Sequence, residues 1–580
     1  MNFRITPHCE KTTLFWSEKF SIPWIVAKIL NQRGITQEEI ENFLTPKMMT
    51  SLPSPFILNN MEKGARRLKK AIDDGETIAI YGDYDVDGAC SSAMLRDYLQ
   101  QRGVETILYI PDRLQEGYGA NENAMINLFD RGVSLVLMVD CGSTAHKPLE
   151  KAQNIGMEVI VLDHHACDHV LPPGIIINPH RPDQNLRDRE DLKYLCAAGV
   201  VFLFLVAVES YFRQMKPAKI IDLFQFLDLV ALATVCDVML LKGLNRTFVY
   251  QGLKVLSKSQ RSGIQALLEI SGVQQKLSTY HLGFVLGPRI NATGRIGESH
   301  LGSVLLTTKQ HLTAQKIASR LHDYNAQRQQ MEKTALEEAI AQIETKSLHK
   351  RHVIVVSNEN WHPGIVGIVA SRLKDRYQKP SFVISIQAHL AKGSGRSIPG
   401  LHLGSLMHKA MENHLLIGGG GHEMAAGLTA YATKVVRFYD FLDEEIGKMV
   451  LPKVVKDVVS YMPLQGVTHE FLDHLEMLEP FGQGHPQPRF LVGPVSIGFR
   501  KIVAHSHIQC TLVDEHGYSI KGVAFRCVGS RFGTFLMENM EPFYALGVLK
   551  REEWSGKLDI SLTIEDVYKY QDIQSLDMAC

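Results

Sequence analysis

From Met61 onward the chain alternates helical stretches with short apolar runs, and several of those runs end on an acid. "MEKGARRLKKAIDD" and "ASSAMLRDYLQQ" read as helices, and "TIAIY", "ETILYI", "LVLMVD" and "MEVIVLDHH" as buried strands. Apolar strands separated by helices form a parallel sheet covered on both faces, and the ligand of such a sheet lies beyond the carboxyl ends of its strands. Asp83 in "YGDYDVDG", Asp140 in "VDCGST" and Asp163 with His164 in "LDHH" all fall just after strands. Three strands therefore deliver acid or imidazole to one edge.

A chain of 580 residues is too long for one core, so three or four domains are expected. Between Gly302 and Pro363 there is neither glycine nor proline, and Ile317, Leu321, Tyr324, Met331, Ala335 and Ile343 recur near helical spacing. A helix from Thr308 to Leu348 would span about 60 Å and join two lobes. Beyond it, "HVIVVSNENWHPGIVGIVASRLKDRY" and "PSFVISIQ" begin a second α/β domain that closes near Met449. After Ser460 the alternation in "HIQCTLVDEHGYSIKGVAF" and "REEWSGKLDISLTIEDV" predicts an antiparallel β domain, read as a small barrel. The longest apolar stretch, Tyr194 to Val208, is too short for a bilayer span and reads as a buried helix. The opening "MNFRITPHCEKTTLFW" has no secretory pattern, and nine cysteines without a CxxC pair fit a reducing compartment, so a cytoplasmic protein is expected.

Divalent metals need anionic oxygen or neutral imidazole converging from different elements, and a pair of ions needs a carboxylate able to bridge them. Asp83, Asp85 and Asp87 share one tight loop, while Asp140, His164 and Asp237 in "ATVCDVMLL" come from separate elements. Oxygen and nitrogen donors without thiolate favour manganese or magnesium over zinc. Taken singly, each Asp reads better as a helix cap or a solvent contact. Together they would repel one another strongly without cations. His165 either faces substrate or supports a ligand by hydrogen bonding.

Lys plus Arg equal Asp plus Glu at 62 each, so a polyanion site must be locally basic. "GGGGHEMAAG" from Gly418 and "GSGRS" from Gly393 suit a phosphate cradle, because glycine lets backbone amides approach an oxygen and arginine grips it in a fork. "GPRINATGRIG" from Gly287, with Arg289 and Arg295, reads as a shaped loop on a groove wall. Phe525 beside Arg526 is either a stacking contact for a strand or core.

"DYDVDG", "VDCGST", "DHH" and "CDVMLL" resemble the four acidic motifs of the DHH phosphoesterase superfamily, and "GGGGHEMAAG" resembles the signature of its associated second domain. "RLQEGYG" from Arg113, "WHPGIVGIVASRL" from Trp361 and "LEPFGQGHPQPRF" narrow the likeness to its bacterial exonucleases specific for single-stranded DNA. The resemblance implies an N-terminal segment 1–45, a DHH catalytic domain 46–305, a connecting helix 306–348, a DHH-associated domain 349–450 and an OB-like domain 451–580. It implies two metals, Mn²⁺ or Mg²⁺, on Asp83, Asp85, Asp87, Asp140, His164 and Asp237, with Asp140 bridging and His165 near the scissile phosphate. Arg113, Arg289, Ser394, Arg396 and His422 would touch the strand or its 5′ end. The expected function is hydrolysis of single-stranded DNA from the 5′ end in repair and recombination, with Asp87, Asp140 and His165 catalytic. A single-strand-binding protein and a helicase are the implied partners, a monomer suffices, and no membrane is involved. Rival readings are a phosphodiesterase for short oligonucleotides or signalling dinucleotides, and an inactive binding scaffold. Cys236, Met239, Glu423 and His485 depart from the usual pattern, His485 standing where Asn is common. Asp87→Ala is expected to abolish activity and leave the fold nearly intact.

Overall fold

The computed structural model describes residues 3–112, 116, 119–214, 219–452, 455–554 and 557–577. Its first sheet has five strands, all parallel, in the order Thr106–Tyr109, Ile78–Gly82, Leu135–Val139, Glu158–Leu162, Ile175–Ile177. The strands read as continuous apolar runs because both faces are covered. Ile78, Ile80, Leu135, Leu137, Ile160 and Leu162 share a core with the buried helix Ala197–Arg213. Alternate residues Ala79, Tyr81, Val136, Met138, Val159 and Val161 instead pack against residues of the helices Glu122–Asp130 and His146–Asn154. The strand order reverses at Ile78–Gly82, so the crevice opens beyond Gly82 and Val139.

The connecting helix is His311–Thr345, 35 residues and about 52 Å long. Ala314, Ile317, Ala318 and Leu321 join the first core, whereas Ala335, Ala339 and Ile343 join a cluster in the second lobe. One rod is thus buried at each end in a different domain. The second sheet runs Gly418–Gly421, Ala425–Tyr431, Leu390–Arg396, Ser381–Gln387, Ile354–Asn358, and only its last pair is parallel.

The C-terminal strands close into a five-stranded barrel. Phe490–Val503 pairs with both His507–Val513 and Phe543–Trp554, and Lys557–Lys569 links the latter to Ser519–Ala524. The pairing of Ser519–Ala524 with Lys557–Lys569 is parallel, so the expectation of a purely antiparallel domain fails at that seam. Trp16, Ile25, Val26, Ile29 and Leu30 of the N-terminal segment lie in the same core as barrel residues Phe490, Val492 and Ile508. The strand Phe3–Ile5 also pairs with Lys456–Val458. Among the described residues no helix is long and apolar enough to cross a membrane.

Candidate metal centre

The strand Ile78–Gly82 delivers the chain into a loop that turns at once into the helix Val86–Gln101. Asp85 caps that helix, its Oδ1 accepting the amides of Asp87 at 2.9 Å and Gly88 at 3.1 Å. A side chain on Gly88 would lie 2.4 Å from the Asp83 carbonyl oxygen, so glycine is required for the loop to close this tightly. Asn291 Oδ1 accepts the Val86 amide at 3.0 Å and fixes the loop from outside. Asp87 is buried, and both its oxygens accept amides at the start of the helix Ala197–Arg213, from Ala197 at 2.6 Å and Ala198 at 2.8 Å. That helix N-terminus orients the carboxylate. Asp87→Ala would leave two buried donors unpaired, so the expectation of an undisturbed fold is corrected.

Asp140 follows Leu135–Val139 with φ at 59°, a left-handed conformation uncommon for a side-chain-bearing residue, and Val238 just after Asp237 has φ 58°. Backbone strain is thus held on either side of the crevice. His164 Nε2 lies 3.3 Å from Asp140 Oδ1, 3.4 Å from Asp237 Oδ2 and 3.7 Å from Asp87 Oδ2. Three compact donor sets result among the described residues: Asp87 with His164 and Asp237, Asp83 with Asp85 and Asp140, and Asp140 with Asp163, His164 and His165. Asp140 belongs to two of them.

Asp140 Oδ2, His164 Nε2 and Asp237 Oδ2 are buried without a hydrogen-bond partner. Three orphaned ligand atoms of alternating type are what a cation would satisfy, so the residues fit divalent metal. Burial and then Asp85 push Asp87 up to about 7, burial and then Asp87 push Asp237 up to about 8, and burial with Asp85 raises Asp140 well above the usual range. Burial, then His165, lowers His164 to about 4, leaving a neutral imidazole suited to ligation.

Asp163, absent from the predicted site, organises the histidine pair. Its Oδ1 accepts the His164 amide at 2.7 Å and His165 Nδ1 at 2.8 Å, while Oδ2 takes the Ser143 amide at 3.1 Å. Burial opposes its charge, but the His165 hydrogen bond and charge hold the carboxyl far below its ordinary range. In return, although burial works against the imidazolium, Asp163 raises His165 to about 9. Asn178 braces the turn through Ser143 Oγ at 2.7 Å and the His165 carbonyl at 2.9 Å. Asp163 was in plain view inside "LDHH"; the asparagines carried no local signal.

In the second lobe, Arg396 donates to Ser394 Oγ at 2.8 Å, and Arg396 pairs in register with Ala425, whose carbonyl receives the His422 amide. These three predicted contacts thus lie toward one end of the sheet. Arg289 is elsewhere, donating to the Val285 carbonyl at 2.6 Å and to His322. Arg113 lies outside the described residues. The glycine run is an edge strand, and "GPRINATGRIG" is the helix Gly287–Ile296, not a loop. Its glycines serve close packing: a side chain on Gly294 would meet Tyr84 at 2.1 Å and one on Gly287 would meet Cys236 Sγ at 2.4 Å. Phe525 is exposed, which removes it from the core.

Residues 77–234 match the DHH family N-terminal domain, 350–448 the DHHA1 domain and 460–566 the RecJ OB domain. The single-stranded-DNA-specific exonuclease RecJ of Bacillus subtilis is 32% identical over 95% of this chain and 68% of its own length. The Escherichia coli RecJ is 31% identical over 88% of this chain and 90% of its own. The crystal structure of Thermus thermophilus RecJ in complex with Mn²⁺ superposes with a TM-score of 0.81 at 27% identity, covering 98% of this chain and 79% of that one. A parallel sheet ending in an acid and imidazole rim, tied by a long helix to a DHHA1 domain, defines a DHH-family protein. Within that class the chain belongs to the RecJ family.

Proposed function

We infer that this protein is a divalent-metal-dependent exonuclease that hydrolyses phosphodiester bonds of single-stranded DNA from a 5′ end. The observation that carries the reading is the trio of orphaned ligand atoms on Asp140, His164 and Asp237. Asp83, Asp85, Asp87, Asp140, His164 and Asp237 would hold two manganese or magnesium ions, with Asp140 shared. The chemistry supplied there is acidification of a water and neutralisation of charge on the phosphoryl oxygens. His165, kept protonated by Asp163, presents a positive N–H group to the phosphate. Ser394, Arg396 and His422, with Arg289 and Arg113, hold the strand and its 5′ end, and the barrel carries the following nucleotides. Residues 46–305 form the catalytic unit and 349–450 the substrate-binding unit. A monomer in the cytoplasm, meeting a single-strand-binding protein and a helicase in repair and recombination, completes the reading.

The test is digestion of 5′-labelled and 3′-labelled oligomers, single and double stranded, with Mn²⁺, Mg²⁺ or chelator. Label is expected to leave first from the 5′ end of single strands, and not at all under chelation. Asp237→Asn is the cleaner variant because its orphaned oxygen supports nothing else. It should lower turnover by more than about 100-fold while the metal-free protein melts no lower than wild type at neutral pH, since the amide keeps the uncharged form that burial and Asp87 already favour there. Full turnover by Asp237→Asn would refute the metal assignment.

A further inference from the structure

The first lobe holds a cavity of about 1050 Å³, at the upper end of the range for ligand pockets and separate from the metal centre. Two helices that carry proposed metal ligands at one end reach this cavity with the other. The helix Val86–Gln101 starts at Asp85 and Asp87 and brings Asp97 and Gln101 to the cavity. The helix Leu227–Cys236 starts at the cavity with Leu227 and Asp228 and ends against Asp237. Along either helix the cavity is about 15 Å from the ligands. Arg261 pins the two helices together at this end, donating to Asp97 Oδ2 at 2.9 Å and to Asp228 Oδ2 at 3.0 Å. Among the described residues nothing accepts a hydrogen bond from its Nη2.

The acids lining the cavity are already engaged. Asp97 and Asp228 hold Arg261, Lys309 lies 3.8 Å from Asp97, and Asp222 caps the Phe224 amide at 3.0 Å. Positive charge is left over. Lys47, Lys254 and Lys258 line the cavity, are exposed, and form no ion pair among the described residues. Lys254 and Lys258 are four residues apart, one in the last turn of the helix Gly243–Leu256 and the other in the turn after it, so two like charges sit side by side without a counter-ion. The helix Ser262–Ile270, which has no side-chain cap, also begins at the cavity, and its first amides favour an anion. Exposed Phe224 and Met49 add an aromatic ring and a thioether to the wall.

We propose that this cavity is a second site, remote from the metal centre, for a nucleoside diphosphate, its two phosphates bridging Lys254 and Lys258 and its base lying against Phe224 and Met49. A phosphate that reaches Arg261 Nη2 competes with Asp97 and Asp228 for the guanidinium. That competition slackens the joint at the far end of both ligand-bearing helices and lowers turnover. The effect on turnover rests on the nuclease reading above, whereas binding at the cavity does not.

Binding is tested by fluorescence anisotropy of N-methylanthraniloyl-ADP on the full chain with chelator present, so that no metal bridges probe and protein. Replacing both lysines, Lys254→Gln with Lys258→Gln, should weaken binding by about tenfold or more, and Asp237→Asn should leave it unchanged. Unlabelled ADP should displace the probe at lower concentration than pyrophosphate does, and Phe224→Ala should weaken ADP while sparing pyrophosphate. No binding by wild type, equal binding by the lysine variant, or ADP no tighter than pyrophosphate would overturn the site as a nucleotide site. In steady-state digestion of a labelled single strand at fixed free Mn²⁺, ADP should lower wild-type turnover about fivefold and leave the lysine variant, equally active without ADP, unaffected. Equal inhibition of both proteins would mean that ADP acts at the metal centre and would overturn the coupling. Absence of digestion by wild type would instead overturn the nuclease reading, and the binding measurements alone would then decide the site.

Discussion

Asp87 and Asp237 keep their protons near neutrality in the metal-free protein, because burial and neighbouring carboxylates push them up to about 7 and about 8. A metal ligand must be deprotonated, so binding must expel those protons. The sign follows: affinity for Mn²⁺ is full above both values and falls as the pH drops through 8 towards 6. The loss should be on the order of tenfold per pH unit for each proton displaced. Calorimetric titration at pH 8 and pH 6, in two buffers of different ionisation enthalpy, measures both affinity and proton release. Affinity independent of pH, with no proton release, would contradict the ligand set. At this scale the sequence was informative for the groups that cluster, since Asp83, Asp140 and His164 follow strands that any apolar pattern reveals. It was silent on support. Asn178 and Asn291 are defined by partners far along the chain, and nothing local distinguishes them from surface amides.

The helix Gly287–Ile296 shows how packing overrides local preference. Proline and three glycines predict a loop, yet Pro288 sits directly after the π-helical segment His281–Leu286, and the glycines face neighbours that leave no room for a side chain. Alanine is intrinsically better than glycine inside a helix by about 1 kcal/mol. Gly294→Ala should nevertheless destabilise, because its methyl would lie 2.1 Å from Tyr84 Cδ2. Tyr84 stands between Asp83 and Asp85, so displacing its ring disturbs two proposed ligands. The expected outcome is a net loss of about 1–3 kcal/mol and a fall in turnover larger than the fall in strand affinity. Thermal melts beside steady-state kinetics measure both, and a more stable, fully active variant would remove the packing argument. The strand elements of the first sheet were readable for the opposite reason, since both faces are buried and the apolar runs are unbroken. The parallel seam of the barrel was not, because strand partners are chosen by closure rather than by composition.

A buried arginine ties the stretch entering the barrel to the catalytic domain, beside apolar and backbone contacts such as Leu241 against Gly482 and the Leu241 amide on the Gln483 carbonyl. Arg246, on the helix Gly243–Leu256, is 3% exposed. Its guanidinium donates to four carbonyls, those of Phe43 at 2.9 Å, Leu478 at 3.0 Å, Glu479 at 2.9 Å and Pro480 at 3.0 Å, and lies over the Phe43 ring. Those acceptors come from the N-terminal segment and from the stretch entering the barrel, so one side chain fastens three parts of the chain. His485 adjoins it, neutral because burial and then Arg33 drive its pKa down to about 2. Arg246→Met preserves length and apolar contact while stranding the carbonyls. A buried carbonyl left without its donor costs on the order of 1–3 kcal/mol, and the cost falls on the joint rather than on either core. Scanning calorimetry should therefore replace one cooperative transition with two, the barrel and N-terminal segment melting first. Limited proteolysis should cut between residues 449 and 460 earlier than in wild type, and binding of long single strands should weaken more than that of short ones, because the barrel is no longer held against the catalytic domain. A single transition at the wild-type temperature would mean that the apolar contacts alone hold the domains together.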